Sequence, residues 1–437
     1  MRKVFLILML IGALHAKEFT LEEVLKLALE NSLELKSAEK EVEAANLELT
    51  AAKGAYLPRV KVEETFTRTD IPAYAFMSRL NQERVGFQDF EPSRLNNPPA
   101  VSNFETKLSL EVPIWLGGKL QAIKRASEHN LFATKWDYGK KQEDVLLKVY
   151  HAYLDAVLAK ESIDVAKQAV ADAKEHVKLA ENMHKVGLAL LSDILRAKVY
   201  LSKAEETLSS SENGYKVAKR AIELVSNTKL GDFEVTNIDT CPTVDIQDIR
   251  SRALENRKDI KALSERIKAM EESYRITLSD NLLQLYAFGS YSLYSKGSPF
   301  GSDGKGYMVG FGASWAFDIG LSTLRRAQAD LERKKSLEDK LNLLKDFALF
   351  DIDKAYAEYQ NSLLSLNSAE ERVKESEEVV RVIELRYKAG IARMVDLLDA
   401  QTELDRARFD RIKALNACQR SYSNLLYYGG ILREVEK

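Results

Sequence analysis

The 437 residues carry 64 lysines and arginines against 66 aspartates and glutamates, for a net charge of −2. Both signs are mixed along the chain with no basic block, which excludes the electrostatic footprint of a nucleic-acid-binding protein. Two cysteines exclude a multi-disulfide scaffold.

In chain order, Met1 to Ala16 reads as a secretory signal: Arg2 and Lys3, an apolar run from Val4 to Leu14, then His15-Ala16. The chain is therefore expected to be exported. No later run reaches 18 apolar residues, so no conventional membrane-spanning helix is expected. Phe19 and Thr20-x-x-Glu23 form a staple and capping box that open a helix at Val24, Leu27 and Ala28. Strands follow near Arg59–Arg68 and Phe104–Ile114. In the second, Phe104, Thr106, Leu108, Leu110, Val112 and Ile114 oppose Glu105, Lys107, Ser109 and Glu111. Between them lies Asp70 to Asn103, rich in proline, asparagine and aromatics, which reads as a cap on the strands that either restricts the mouth they would form or is simply variable surface.

Proline is absent from Ile114 to Cys241, and a helix is expected from about Lys119 to Val186. Along it Val149, Ala152, Ala156, Ala159, Ile163, Ala166, Val170, Ala173, Val177 and Ala180 recur in steps of three and four, the seam of a coiled coil. Gly187 turns the chain, and the stripe resumes on a returning helix at Ile194, Ala197, Leu201, Ala204 and Leu208. Residues 226–243 read as an irregular connector.

The pattern then repeats. Ala28-Leu29-Glu30-Asn31 returns as Ala253-Leu254-Glu255-Asn256, and Lys185-Val186-Gly187-Leu188-Ala189 returns as Lys388-Ala389-Gly390-Ile391-Ala392. Asp245-x-x-Asp248 is a weaker cap, strands are expected near Leu282–Tyr294 and Tyr307–Asp318, and a second helical hairpin turns at Gly390. The copies differ mainly by about 23 extra residues between the first pair of strands. The expected divisions are a signal peptide at 1–16, a first repeat at 17–225, a connector at 226–243, a second repeat at 244–430 and a tail at 431–437.

On pattern alone the strands suit a soluble half-buried sheet or an outer-membrane strand with a wet interior. The signal and the long helices favour the membrane. Four strands cannot close a barrel and lipid tolerates no open edge, so a spanning chain must oligomerise. Cys241 and Cys418 either pair in an oxidising compartment or leave a buried thiol, the reading favoured by the place of Cys418 on an apolar stripe. His129, His151, His176 and His184 join no metal or catalytic motif, and no phosphate-binding glycine loop is present, so neither an enzyme nor a cofactor or metal site is expected. His184 reads as an exposed helical residue or a pH-sensitive contact.

Two segments carry a family likeness: Val112-Pro113-Ile114-Trp115-Leu116-Gly117-Gly118 at the strand-to-helix junction, and Arg386-Tyr387-Lys388-Ala389-Gly390-Ile391-Ala392-Arg393-Met394-Val395-Asp396-Leu397-Leu398-Asp399-Ala400-Gln401 around the second glycine. In their order and doubling they resemble the TolC family of outer-membrane efflux and secretion channels. The resemblance implies a mainly α fold with a β-barrel portion. Long coiled-coil hairpins and four membrane strands per chain would meet in a homotrimer with a 12-strand barrel in outer-membrane lipid and a 12-helix periplasmic tunnel. It implies a passive exit duct of a tripartite efflux pump or type I secretion system, working with a periplasmic adaptor and an inner-membrane pump. Adaptor contact would fall at Val186, Gly187, Leu188, Gly390 and Ile391, the alternative for each glycine being a simple helix stop. Ser192, Asp193 and Tyr387 match gate positions. The gate arginine is displaced from Ala392 to Arg393, which turns it by about 100° around the helix. Asp396 and Asp399 match an acidic ring, or else stabilise a solvated helix N-terminus. The alternative is a periplasmic adaptor-like or structural coiled-coil protein without a channel.

Overall fold

The computed structural model describes Lys17–Arg433. The expected signal peptide and the end of the expected tail lie outside the described residues. Contacts divide the chain into two compact units, each discontinuous in sequence. One comprises residues up to Glu41, Lys135–Lys261 and the chain from Asn342; the other comprises Val42–Thr134 and Ala262–Leu341.

The first unit holds both hairpins. Helix α1 (Leu21–Asn31) begins with the expected capping box, in which Thr20 N–H donates to Glu23 (2.9 Å) and Glu23 N–H donates back to the threonine hydroxyl (3.3 Å). At Ser32 the backbone turns extended (ψ 126°) before α2 (Leu33–Gly54), so the single opening helix expected here is two. The second copy breaks at the same place: α7 (Ile246–Asn256), capped by Asp245 through Gln247 N–H, stops at Arg257 (ψ 122°), and α8 (Lys258–Ser279) follows. The repeated Ala-Leu-Glu-Asn thus marks a bend, with Ala28 and Ala253 fully buried beneath it.

Hairpin one is α5 (Lys119–Lys185), which enters this unit at Lys135, and α6 (Leu191–Ser226). Hairpin two is α9 (Ser322–Lys388), which enters at Asn342, and α10 (Met394–Tyr428). The two long helices are each 67 residues, about 100 Å at 1.5 Å per residue. The connector is more ordered than its sequence suggested. Its strand β4 (Phe233–Val235) pairs in parallel with β1 (Lys17–Phe19), and the fully buried Tyr153 hydroxyl is shared by the Phe19 carbonyl, the Thr236 carbonyl (both 2.9 Å) and the Thr236 N–H (3.0 Å).

Cys418 is buried on α10 as its stripe position requires, but it is not a free thiol: it is disulfide-bonded to Cys241. The periodicity gave no sign that the connector crosses this face of α10. Polar side chains hold it there, with Tyr359 donating to the Pro242 carbonyl (2.6 Å) and Gln419 to the carbonyls of Ile238 (2.6 Å) and Thr240 (3.2 Å).

The second unit contains a four-stranded antiparallel sheet in the order β2 (Arg59–Thr69), β3 (Val101–Leu116), β5 (Gln284–Ser295), β6 (Gly304–Ser314). β6 ends at Ser314, four residues before the expected limit at Asp318, because its partner begins at Gln284, opposite Ser314. Asp318 caps α9 instead, accepting from Thr323 N–H (2.9 Å). Register places Val60, Val62, Phe66, Leu108, Leu110, Tyr291, Val309 and Phe311 on one exposed face. Arg59, Lys61, Glu63, Glu105, Lys107, Ser109, Ser290 and Ser292 lie on the other. On that polar face the glycines of β6 have a packing reason: a Cβ at Gly312 or Gly310 would fall 2.2 Å or 2.6 Å from the rings of Tyr286 and Phe288.

The disulfide gives a direct expectation. Thiol alkylation of the denatured protein should modify no cysteine without reductant and two after reduction, and Cys418→Ser should lower stability by about 2–4 kcal/mol in thermal unfolding.

Candidate functional site

The two hairpin ends, both in the first unit, are built alike. Gly187 (φ +78°) and Gly390 (φ +72°) occupy left-handed conformations that cost other residues energy. Each closes a Schellman motif: Gly187 N–H donates to His184 and Leu188 N–H to Met183, while Gly390 donates to Tyr387 and Ile391 to Arg386, all at 2.8–3.0 Å. Val186, Leu188 and Ile391 project as exposed apolar side chains. His184 is exposed, and its Nδ1 lies 2.8 Å from the Ala189 carbonyl within its own turn.

Each returning helix is then capped by an acid at its third position. Asp193 accepts from Leu190 N–H (3.1 Å) and Asp396 from Arg393 N–H (3.0 Å). Arg393 also places its guanidinium on Asp396 (2.9 Å), and this pairing holds the Asp396 carboxyl below the usual carboxylate range. The arginine displaced from the gate position is thus engaged at the start of its own helix. Asp399 and Ser192 are exposed, on α10 and α6.

What joins the tips inside the chain is apolar. Tyr387 packs with Ala180, Met183, Ile194, Ala197, Met394, Leu397 and Leu398. Its hydroxyl is buried without a hydrogen-bond partner, and burial together with the nearby Asp193 charge pushes it up. Tyr387 and Asp193 are therefore neighbours without a hydrogen bond between them.

A polar cluster linking the hairpins lies roughly 15–27 Å along the helices from the glycines, in residues that the sequence reading did not single out. Gln401 on α10 is buried, with His176 Nε2 3.2 Å from its Oε1, and its amide donates to Asp172 (3.1 Å) on α5 and Asp405 (3.0 Å) on α10. Arg408 spans Asp172 (3.1 Å) and Glu377 (3.3 Å) on α9, and Tyr200 on α6 donates to Asp405. All four helices contribute. Burial pushes the Asp405 carboxyl up, which its two donors only partly offset. A signal did exist: Gln401, Asp405 and Arg408 each follow a stripe residue, Ala400, Leu404 and Ala407, and so share a face of α10 at the edge of the seam.

Two faces of opposite polarity on one sheet and two matched hairpins now stand beside the sequence signature. The family profile described as Outer membrane efflux protein matches residues 24–228 and 249–430. The chain belongs to that family. A probable efflux pump outer membrane protein, SepC of Pseudomonas putida, is 22% identical over 93% of this chain and 82% of its own length. The alkaline protease secretion protein AprF of Pseudomonas aeruginosa is 22% identical over 94% and 84%. Among solved structures, the Campylobacter jejuni CmeC outer membrane channel shares the fold with a TM-score of 0.77 at 18% identity, over 94% of this chain and 86% of that one. The protein is accordingly an outer-membrane channel of the efflux and secretion type.

The four-helix polar cluster predicts that Arg408→Ala, which removes an ion-pair partner from Asp172 and Glu377, loses about 1.5–3 kcal/mol in denaturant unfolding, whereas Arg393→Ala, exposed and local, leaves the unfolding midpoint nearly unchanged.

Proposed function

We propose that three copies of this chain form a passive exit duct through the outer membrane and periplasm, closed at the hairpin tips and opened by a periplasmic adaptor and an inner-membrane pump. The observation that carries this reading is the open four-stranded sheet, apolar on one exposed face and charged on the other. Such a sheet is stable in lipid only when its edges are paired. Three copies supply 12 strands, within the range of bacterial barrels. An adaptor-like or purely structural coiled coil would need no lipid-facing sheet. The names of SepC and AprF favour an efflux or secretion role.

The tips then divide their labour. Val186, Leu188 and Ile391, beside Gly187 and Gly390, offer the adaptor an apolar, backbone-accessible surface. Asp399, exposed and one helical turn beyond Asp396, serves as the pore acid, three copies forming a ring that favours cations. Asp396 belongs to the same ring but is tied into its cap by Arg393. Tyr387 and Asp193 keep the hairpins packed, with Ser192 at the exposed rim. In copy one Arg196 stands where copy two has Asp399, so one hairpin per protomer carries the pore charge.

Recovery in the outer-membrane fraction followed by planar-bilayer recording tests the duct; a protein found wholly in the soluble periplasm contradicts it. In the same recordings Asp399→Ala should reduce cation selectivity, with the thermal unfolding temperature unchanged, whereas Asp396→Ala should in addition lower that temperature through the lost cap. Equal selectivity in wild type and Asp399→Ala would remove Asp399 from the pore.

A further inference from the structure

The segment between β2 and β3 does not extend away from the sheet. It begins with α3 (Pro72–Asn81), continues through a 3-10 turn (Phe87–Phe90) and ends with α4 (Pro92–Asn96). Helix α3 lies against the polar face, at the end of the sheet where both hairpin loops emerge. Its Asn81 carbonyl meets Gly304 so closely that a Cβ there would fall 2.0 Å away. Gly304 pairs with Tyr294, which pairs with Glu105, and all three share the face that carries Lys107 and Glu63 lower down.

The placement is built rather than incidental. Gln82, 1% exposed, donates to Asn103 Oδ1 (2.8 Å) and the Ser102 carbonyl (2.9 Å), and its own Oε1 accepts from Arg84 (2.9 Å). Ala75 is fully buried, and Arg79 is paired with Asp89. Beside the helix a cavity of about 500 Å³ separates Tyr74, Met77 and Asn81 from Thr67, Asn103 and Glu105. Met77 follows Ala75 by about 200° of helical rotation and so stands away from the buried Ala75, on the side that faces Thr67, Asn103 and Glu105 across the cavity. Tyr74, Met77 and Leu80 are all substantially exposed, an apolar swath beside Thr67, Asn103 and Glu105 on the polar face.

We propose that α3 is a second constriction of the duct, folded into the outer mouth of the barrel, with Tyr74, Met77 and Leu80 as its solute-facing side chains. It rests on the channel reading, because only closure of the sheets makes the polar face a lumen. Three such helices narrow the exit and line it with apolar surface, which resists hydrated ions and leaves a path for solutes with apolar flanks.

The periplasmic end acts in series with this mouth, so the informative readout is block by an adduct rather than gain from a deletion. The described cysteines are both in the disulfide, so Met77→Cys introduces a single reactive thiol. Full reaction with fluorescein maleimide should cut single-channel conductance at least twofold relative to the unreacted variant, and Leu80→Cys gives the same readout from the next turn should the first fail to assemble. Complete labelling at both positions with unchanged conductance would overturn the constriction while leaving the channel intact. A wild-type protein that forms no channel would overturn the reading beneath it and the constriction with it.

Discussion

Backbone hydrogen bonding in lipid is the constraint on which the rest of this molecule depends. The sheet presents Val60, Val62, Leu108, Leu110, Val309 and Phe311 on an exposed face, which suits hydrocarbon and is a liability in water. Its outer strands β2 and β6 end the order of the sheet, leaving rows of N–H and C=O groups that lipid cannot satisfy. One chain cannot remove both edges. In the proposed duct, closure by further copies would remove them and turn the charged face inward as a water-filled wall. The internal duplication acquires its meaning here, since each copy supplies two strands and one hairpin.

The hairpins use one local design twice and then depart from it. Schellman turns at Gly187 and Gly390 and acid caps at Asp193 and Asp396 are common to both ends. The differences include Arg393 where copy one has Leu190, Asp399 where it has Arg196, and Tyr387 where it has His184. With Arg393 engaged in its own cap, polar ties between the hairpins run through Arg408 and Gln401 to Asp172 and through Tyr200 to Asp405, and nearer the other end of the helices through Arg420 to Asp155. Such ties in partly buried surroundings are costly to strand, so a cluster drawing on all four helices couples their positions more firmly than the apolar tip below it.

Much of this was legible in the residues because it depends on local chemistry. The capping box at Thr20, the left-handed glycines, the alternation in the strands and the uninterrupted helices each follow from neighbours a few positions apart. The bend at Asn31-Ser32 was marked by its own repeat at Asn256-Arg257 but went unread, because no proline or glycine announces it. What stayed hidden depends on contacts distant in sequence: Cys241 reaching Cys418 through the polar anchoring of the connector, Gln401 meeting Asp172, and α3 folding back over Asn103. The end of β6 was misplaced for a similar reason. Alternation continues to Phe317, but pairing stops where β5 stops.

The central claim, that edge closure by identical copies makes the channel, is tested most directly by native mass spectrometry of the detergent-extracted protein. The predicted result is a single species of three chains that persists at high dilution. A stable monomer or dimer, with its sheet edges unpaired by further copies, would contradict it.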